Sequence, residues 1–516
     1  VWFSSGQSNM AMEVKAAANA AEEIAAAKYP DIRWFMIEPV NAENPLTDTK
    51  GTWQICSPAD VGDFSAAAYF FARDLHRAIK QPVGMVHGAW GGSMVEWWMS
   101  REALAATPEA KPILDFWAKV TADWPKRKPR YEKMMADYKE AAQAAKSSGK
   151  PAPKKPREEA YRPGSLFQPS NLYNGMVRPV VPFGIRGVIW YQGESNRGKP
   201  IQYRALFPAM IRDWRNVWGE GDFPFLFVQL PNFMPRKNEP SESDWAMLRE
   251  SQLKTLATAP NTAMTIAIDI GEAASIHPKN KQEIGRRLSL AALATVYKQA
   301  VEWSGPLFQR SEIEGNGIRV HFTHAAGLKA GEGSLKGFAI AGEDRRFVWA
   351  DARVDRDTVF VSSAGVAKPV AVRYAWADNP ECNLVNAAGL PASPFRTDDW
   401  STRPVFKEMK LNRWVGNKQQ LRLWFADVGE GGFVDQPIEG FMVAGEDKVF
   451  YPAKTQFLAD TLLVWSEQAP KPVAVRYRWP GSPAAESSES MRAVTGITLA
   501  PFRTDDWGDA KYAAGR

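Results

Sequence analysis

Four short polar blocks in the 516-residue chain carry the residue types that acyl transfer needs. The first is Gly6-Gln7-Ser8-Asn9-Met10. A serine at the end of a first strand, among small and polar neighbours, is placed for nucleophilic attack, and its own N–H can help bind an oxyanion. Taken alone, the block describes a turn serine equally well. The second block, His87-Gly88-Ala89-Trp90-Gly91-Gly92-Ser93, has paired glycines that let backbone N–H groups approach a ligand closely. An ordinary strand-to-helix turn reads the same way. In the third, Trp190-Tyr191-Gln192-Gly193-Glu194-Ser195-Asn196, the Gln192 amide can donate to a developing oxyanion. Glu194 reads either as an acid or base, or as a tie that accepts backbone N–H bonds. The fourth block runs from Asp269 to Pro278 and contains His277. A serine hydroxyl needs a base, and histidine is the usual one near neutral pH. Of the five histidines, His76 lies within an amphipathic helix, and His321 and His324 lie at the edge of a β-rich region. His277 sits in a polar loop at a strand end, with His87 as its rival.

In this order the blocks SGQSNM, WGGS, WYQGESN and IHPKNK resemble the sialate O-acetylesterase branch of the SGNH-hydrolase superfamily. The runs PSNLYNGM (Pro169–Met176) and NKQEIGRRL (Asn280–Leu288) are similar to that branch as well. The resemblance covers nearly the whole chain apart from a helical insertion and a second β module. It implies a serine esterase that removes O-acetyl groups from carbohydrate, either sialate or an acetylated plant polysaccharide such as xyloglucan. Ser8 then matches the nucleophile and His277 the general base. The oxyanion hole comprises the N–H groups of Ser8 and Gly92 and the side chain of Gln192, which stands where many superfamily members carry Asn. No metal or cofactor is called for, and the resemblance implies a secreted or periplasmic bacterial protein. One departure concerns the acid that orients the base. Many superfamily members carry Asp three residues before the His, and members of this branch often carry it two residues before. Here those positions are Ala274 and Ser275. Three groups remain to orient the imidazole: the carbonyl of Ser275, giving a Ser–His dyad, or the carboxylate of Asp269 or Glu272. The missing acid also supports a reading from a different class, a catalytically weak or inactive carbohydrate-binding protein on an esterase scaffold.

The elements that must position these blocks follow from hydrophobic pattern. Strands are expected at Val1–Ser5, Ile32–Ile37, Pro82–His87, Gly187–Tyr191, Phe225–Leu230 and Thr262–Asp269. They alternate with helices at Ala16–Lys28, Ala66–Lys80, Tyr203–Trp218, Asp244–Ala257 and Gln282–Lys298. This is the pattern of a three-layer α/β/α, flavodoxin-like parallel sheet. Ligands bind such sheets beyond the carboxyl ends of the strands, where all four blocks fall. The α/β domain is expected over residues 1–304, with a helical insertion at about 100–165. A β-rich texture then takes over and repeats. GFAIAGED (Gly337–Asp344) returns as GFMVAGED (Gly440–Asp447), KPVAVRYAW (Lys368–Trp376) as KPVAVRYRW (Lys471–Trp479), and both copies close on PFRTDDW. Two homologous, sandwich-like β modules are expected at 305–402 and 403–516. Their FRTDDW ends read as core and turn residues rather than as a glycan contact.

Bulk composition excludes several classes. Hydrophobic residues at 45% and aromatics at 12% argue for packed cores. The net charge of +6 is concentrated between Lys126 and Arg157, which hold eleven Lys/Arg against three Asp/Glu. Without a nucleic-acid motif, that segment reads as a solvated helical face followed by a Lys/Pro loop. Cys56 and Cys382 make neither a metal spacing nor a disulfide framework. No apolar run reaches the length of a membrane span. No signal peptide is visible, and the opening inside an apparent strand, Val1-Trp2-Phe3, leads us to expect upstream residues. The oligomeric state is not encoded in any of these features.

Overall fold

Neighbouring residues along each central strand are both apolar, which demands a sheet buried on both faces. The computed structural model contains that sheet. Its strands are β1 (Trp2–Gly6), β2 (Tyr29–Met36), β3 (Trp53–Cys56), β4 (Val83–Ala89), β5 (Gly187–Tyr191), β6 (Phe225–Val228) and β7 (Thr262–Thr265), in the order β3-β2-β4-β1-β5-β6-β7. All neighbours are parallel except β3, which pairs antiparallel with β2 at one edge. The structure describes every residue except 150, 152, 155–160, 401–404, 414–418, 427–437, 459–460, 480–481, 484–498, 500, 509 and 514–516.

The helices are α1 (Ser8–Ala11), α2 (Ala20–Ala26), α3 (Ala66–Ile79), α4 (Arg101–Ala105), α5 (Lys111–Ser147), α6 (Pro200–Trp218), α7 (Asp244–Thr258) and α8 (Lys281–Thr295). Alternation along the strands sorts the core into two layers. Trp2, Met85, Ile189 and Tyr191 pack with residues of α3 and α8 on one face. Phe3, Val86, Val188 and Trp190 pack with α6 and α7 on the other. Of the twenty-one tryptophans, Trp2, Trp34, Trp98, Trp190, Trp214 and Trp245 are fully buried.

The expected insertion is dominated by α5, whose only buried side chains are Ile113 and Val120. Its basic residues sit in exposed i,i+4 pairs such as Lys133–Asp137, the solvated face read from sequence. In the following Lys/Pro loop, Lys150, Ala152, Lys155 and Pro156 lie outside the described residues. Among the described residues, no helix is long and apolar enough to cross a membrane.

Residues 1–196 and 201–397 form one compact unit. It joins the α/β sheet to the first β module, whose four-stranded sheets are built from strands between Leu307 and Arg396. The join is polar and buried. Arg249 of α7 is fully buried and donates to the carbonyls of Leu230 and Pro231 on its own side and of Ala377 and Asp378 in the module. Residues 398–516, with 197–200, form the second unit. That unit holds a four-stranded and a five-stranded sheet.

Candidate active site

Strand β1 is central, and the chain leaves it toward β2 on one side and later returns through β5 on the other, so a crevice opens at its carboxyl end. Gly6 ends β1 at φ +144°, where a Cβ would sit 2.2 Å from the Tyr191 carbonyl oxygen. Only glycine lets the chain turn so close to β5. Gln7 N–H then donates to Tyr191 O at 3.0 Å, and Trp90 N–H to Gly6 O at 3.0 Å. The Gln7 side chain accepts from the N–H groups of Gly193 and Ser195. The loops after β1, β4 and β5 are thus joined by backbone bonds.

Ser8 follows at the start of α1 and is half-buried. Its Oγ lies 2.8 Å from Nε2 of His277, which comes from the loop before α8. Beside them, a Cβ on Gly91 would approach the Ser8 Cβ to 3.6 Å, so the glycine turn after β4 runs alongside Ser8. Gly92 has φ +74°, a conformation other residues adopt only with strain. Among the described residues, neither the Ser8 N–H nor the Gly92 N–H has a protein acceptor.

Gln192 does not stand free, contrary to its expected use as an oxyanion donor. The side chain is fully buried, and its Nε2 donates to Ser93 O at 3.0 Å and to Asn196 Oδ1 at 2.7 Å. Both amide N–H bonds are taken, which leaves Gln192 buttressing the glycine turn from below. His87 is a core residue: its Nδ1 meets Ser4 Oγ at 2.9 Å, and full burial lowers its pKa to about 3, keeping the ring neutral.

None of the three groups considered for orienting His277 does so. Asp269 is held by Arg287 through two bonds of 2.7 Å. The Glu272 carboxylate accepts from Lys279 N–H at 2.8 Å. Ser275 turns its hydroxyl, not its carbonyl, toward the His277 backbone, 3.2 Å from the N–H and from the carbonyl oxygen. No described residue meets Nδ1 of the exposed imidazole.

Behind the pair lies a buried polar cluster of which the sequence reading marks only Glu194. Asn9 Nδ2 donates to Glu194 Oε1 at 2.5 Å and to Ile276 O at 2.9 Å, while Asn9 Oδ1 accepts from Lys281 Nζ at 2.7 Å. Lys281 also donates to Pro278 O at 2.8 Å, and its ammonium stands 5.3 Å from the centre of the Tyr191 ring. Burial lowers the Lys281 pKa to about 7 against the pull of Glu194 and Glu272, and burial raises that of Glu194. His277 is lowered from 6.5, first by its own partial burial and then by the Lys281 charge. A signal for Lys281 did exist: it occupies the same helical stripe as the buried Ile284, Leu288 and Ala291. Among the described residues, no three His, Cys, Asp or Glu side chains gather to hold a metal ion.

A family model described as carbohydrate esterase, sialic acid-specific acetylesterase, matches residues 159–294, which include Gln192 and His277. Sialate O-acetylesterase of Mus musculus is 29% identical over 430 residues, covering 77% of this chain and 76% of that protein. The Homo sapiens enzyme of the same name is 28% identical over 437 residues, with 77% and 74% covered. The crystal structure of a carbohydrate acetylesterase from Xanthomonas citri is 37% identical with a TM-score of 0.64, covering 77% of this chain and 80% of that one. The chain belongs to the sialate O-acetylesterase-like carbohydrate esterases. This esterase is a carbohydrate O-acetylesterase with an acetylated carbohydrate as substrate. Its parallel sheet with flanking helices and its further β-rich modules are those of an α/β esterase.

Proposed function

We propose that the esterase works by acetyl transfer to Ser8, with His277 as general base. The observation that carries the reading is the 2.8 Å approach of Ser8 Oγ to His277 Nε2 at the carboxyl edge of the sheet. Nε2 takes the hydroxyl proton as Oγ attacks the acetyl carbonyl. The oxyanion that forms is held by the N–H groups of Ser8 and Gly92, each donor contributing about 3 kcal/mol. Gln192 keeps the glycine turn in place and donates nothing to the oxyanion. His277 returns the proton to the departing sugar oxygen, giving an acetyl-Ser8 ester and a free hydroxyl. Water, deprotonated by Nε2, then attacks the acetyl carbon, and the imidazolium returns the proton to Ser8 Oγ as acetate leaves. The pair acts as a dyad with respect to carboxylates, since Asp269 and Glu272 are engaged elsewhere.

The same reading makes residues 1–304 an SGNH-type domain, and 305–402 and 403–516 two homologous sandwich-like modules. Corresponding aromatics support the homology: Phe308 stacks on Phe395 at 4.7 Å and Phe406 on Phe502 at 4.5 Å. A secreted or periplasmic location remains part of the proposal, as the family resemblance implies. For the sugar, O-acetylated sialosides come first, after the names of the mammalian relatives, and acetylated xyloglucan second. The test is acetate release from O-acetyl sialosides, acetylated xyloglucan and acetylated xylan by the parent and by Ser8→Ala. The parent is expected to release acetate from at least one of them and S8A from none. Turnover by S8A at the parental rate would overturn the mechanism.

A further inference from the structure

We propose that Asn9, Lys281 and Glu194 form a buried brace that positions His277 against Ser8, doing the work an orienting carboxylate does elsewhere. The inference rests on the Ser8–His277 reading above. His277 is bracketed by Ile276 and Pro278, and the carbonyl of each is held. Ile276 O accepts from Asn9 Nδ2 and Pro278 O accepts from Lys281 Nζ. Asn9 is the residue that follows Ser8 in the chain. The backbone that carries the nucleophile and the backbone that carries the base are therefore joined through one amide and one ammonium.

The brace is fully committed where it matters. Both N–H bonds of the Asn9 amide are used, by Glu194 Oε1 and Ile276 O, and Lys281 donates to its oxygen. Glu194 extends the link to the loop after β5. A lysine at 0% exposure is costly unless it is paired and hydrogen-bonded, and an apolar side chain on the α8 stripe avoids that cost. Its presence beside the base fits a task at the site. With no described acceptor at Nδ1, the imidazole depends on its own backbone for orientation, and the brace fixes that backbone on both sides.

The charges around the base predict a second readout. His277 is faced by Ser8 and by the Lys281 charge, and Lys281 in turn by Glu194, Glu272 and the Tyr191 ring. Removing the Lys281 charge removes a repulsion that keeps the imidazole neutral, so the acid limb of kcat/KM moves to higher pH. A lysine whose charge does not reach the imidazole does not move it, whereas the fall in kcat reports the positioning.

The experiment measures kcat, KM and the pH profile for Lys281→Met and Asn9→Ala in the full chain on 4-nitrophenyl acetate, with near-UV circular dichroism and Tm to verify folding. For K281M, kcat is expected to fall at least tenfold with KM within threefold, and the acid limb to move up. For N9A, which keeps the cation, kcat is expected to fall similarly with the limb in place. Should K281M not fold, N9A carries the test. A folded variant with kcat within twofold of the parent overturns the brace, wherever its limb lies. Ser8→Ala run alongside separates the two claims. An active S8A refutes the reading on which the brace rests, whereas an inactive S8A with parental K281M and N9A refutes the brace alone.

Discussion

His277 offers Nε2 to Ser8 and leaves Nδ1 without a described protein partner, so its titration is governed by burial and by Lys281 rather than by a carboxylate. The sign follows directly. Both influences disfavour the imidazolium and hold the pKa below its ordinary 6.5, so the neutral base persists to lower pH. The acid limb of kcat/KM on a non-ionising acetate ester is therefore expected below pH 6.5, and a midpoint above that value in the parent would contradict the assignment of His277's surroundings. The same geometry separates Asp269 from catalysis. Asp269→Asn is expected to keep kcat within about threefold while lowering stability by about 1–2 kcal/mol. Arg287 loses a charged acceptor there, although Asp269 is 40% exposed and solvent screens part of the pairing. A loss of about 10⁴ in kcat is the outcome that restores Asp269 as an orienting acid. At this scale the sequence was legible where a residue's role depends on its own type and place, as for Ser8 and His277. Gln192 was not, because spare hydrogen-bonding capacity is decided by partners such as Ser93 O and Asn196, which only the fold brings near.

Elements were legible wherever burial imposed a strict period. The central strands and the helices α3, α6 and α8 follow the apolar pattern, whereas α7 is buried on every side from Trp245 to Gln252. Strand β3 did not stand out, because three of its four residues are exposed at the sheet edge. Helix α1 is a single turn, too short to show a period. Strand β7 ends at Thr265, short of the expected Asp269, yet Ile266, Ala267 and Ile268 remain buried. An apolar run reports burial, not ladder pairing. Helices α3 and α8 meet at Gly285, where an added Cβ would come within 2.4 Å of Phe70 Cβ and 2.6 Å of Phe71 N. Backbone cannot yield there as a flexible side chain can. Gly285→Ala is expected to lower stability by about 1–3 kcal/mol, measured by urea unfolding, despite the better helix propensity of alanine. A stabilised G285A would show that the two helices are free to move apart.

Across the whole molecule, the repeat was the most readable feature and the attachment of its first copy the least. Nothing in the sequence marked Arg249, which sits mid-helix. It is fully buried, its pKa is lowered to about 9 by that burial, and it supplies the carbonyls of both the α/β part and the first module. Arg249→Met is expected to cost about 3 kcal/mol or more, since several buried carbonyls lose their donor at once. Limited proteolysis of R249M should then cut between the α/β part and the first module before the rest of the unit, and a protease pattern like the parent's would refute this. The Phe and Thr of the FRTDDW ends are structural in both copies. Thr397 and Thr504 each exchange bonds with the strand residue opposite, Val372 and Val475, and Phe395 and Phe502 lie in the cores.

One pair of corresponding arginines is tied down in both copies. Arg373 donates to Glu242 of the α/β part at 2.8 Å. Arg476, its counterpart, is bonded to Asp505, Tyr512 and Trp507 O, all within its own unit. A copied module that carries the counter-ion for its buried arginine can be appended to a chain, or lost from one, without stranding a charge in either place. In terms of charge, the second copy is therefore portable.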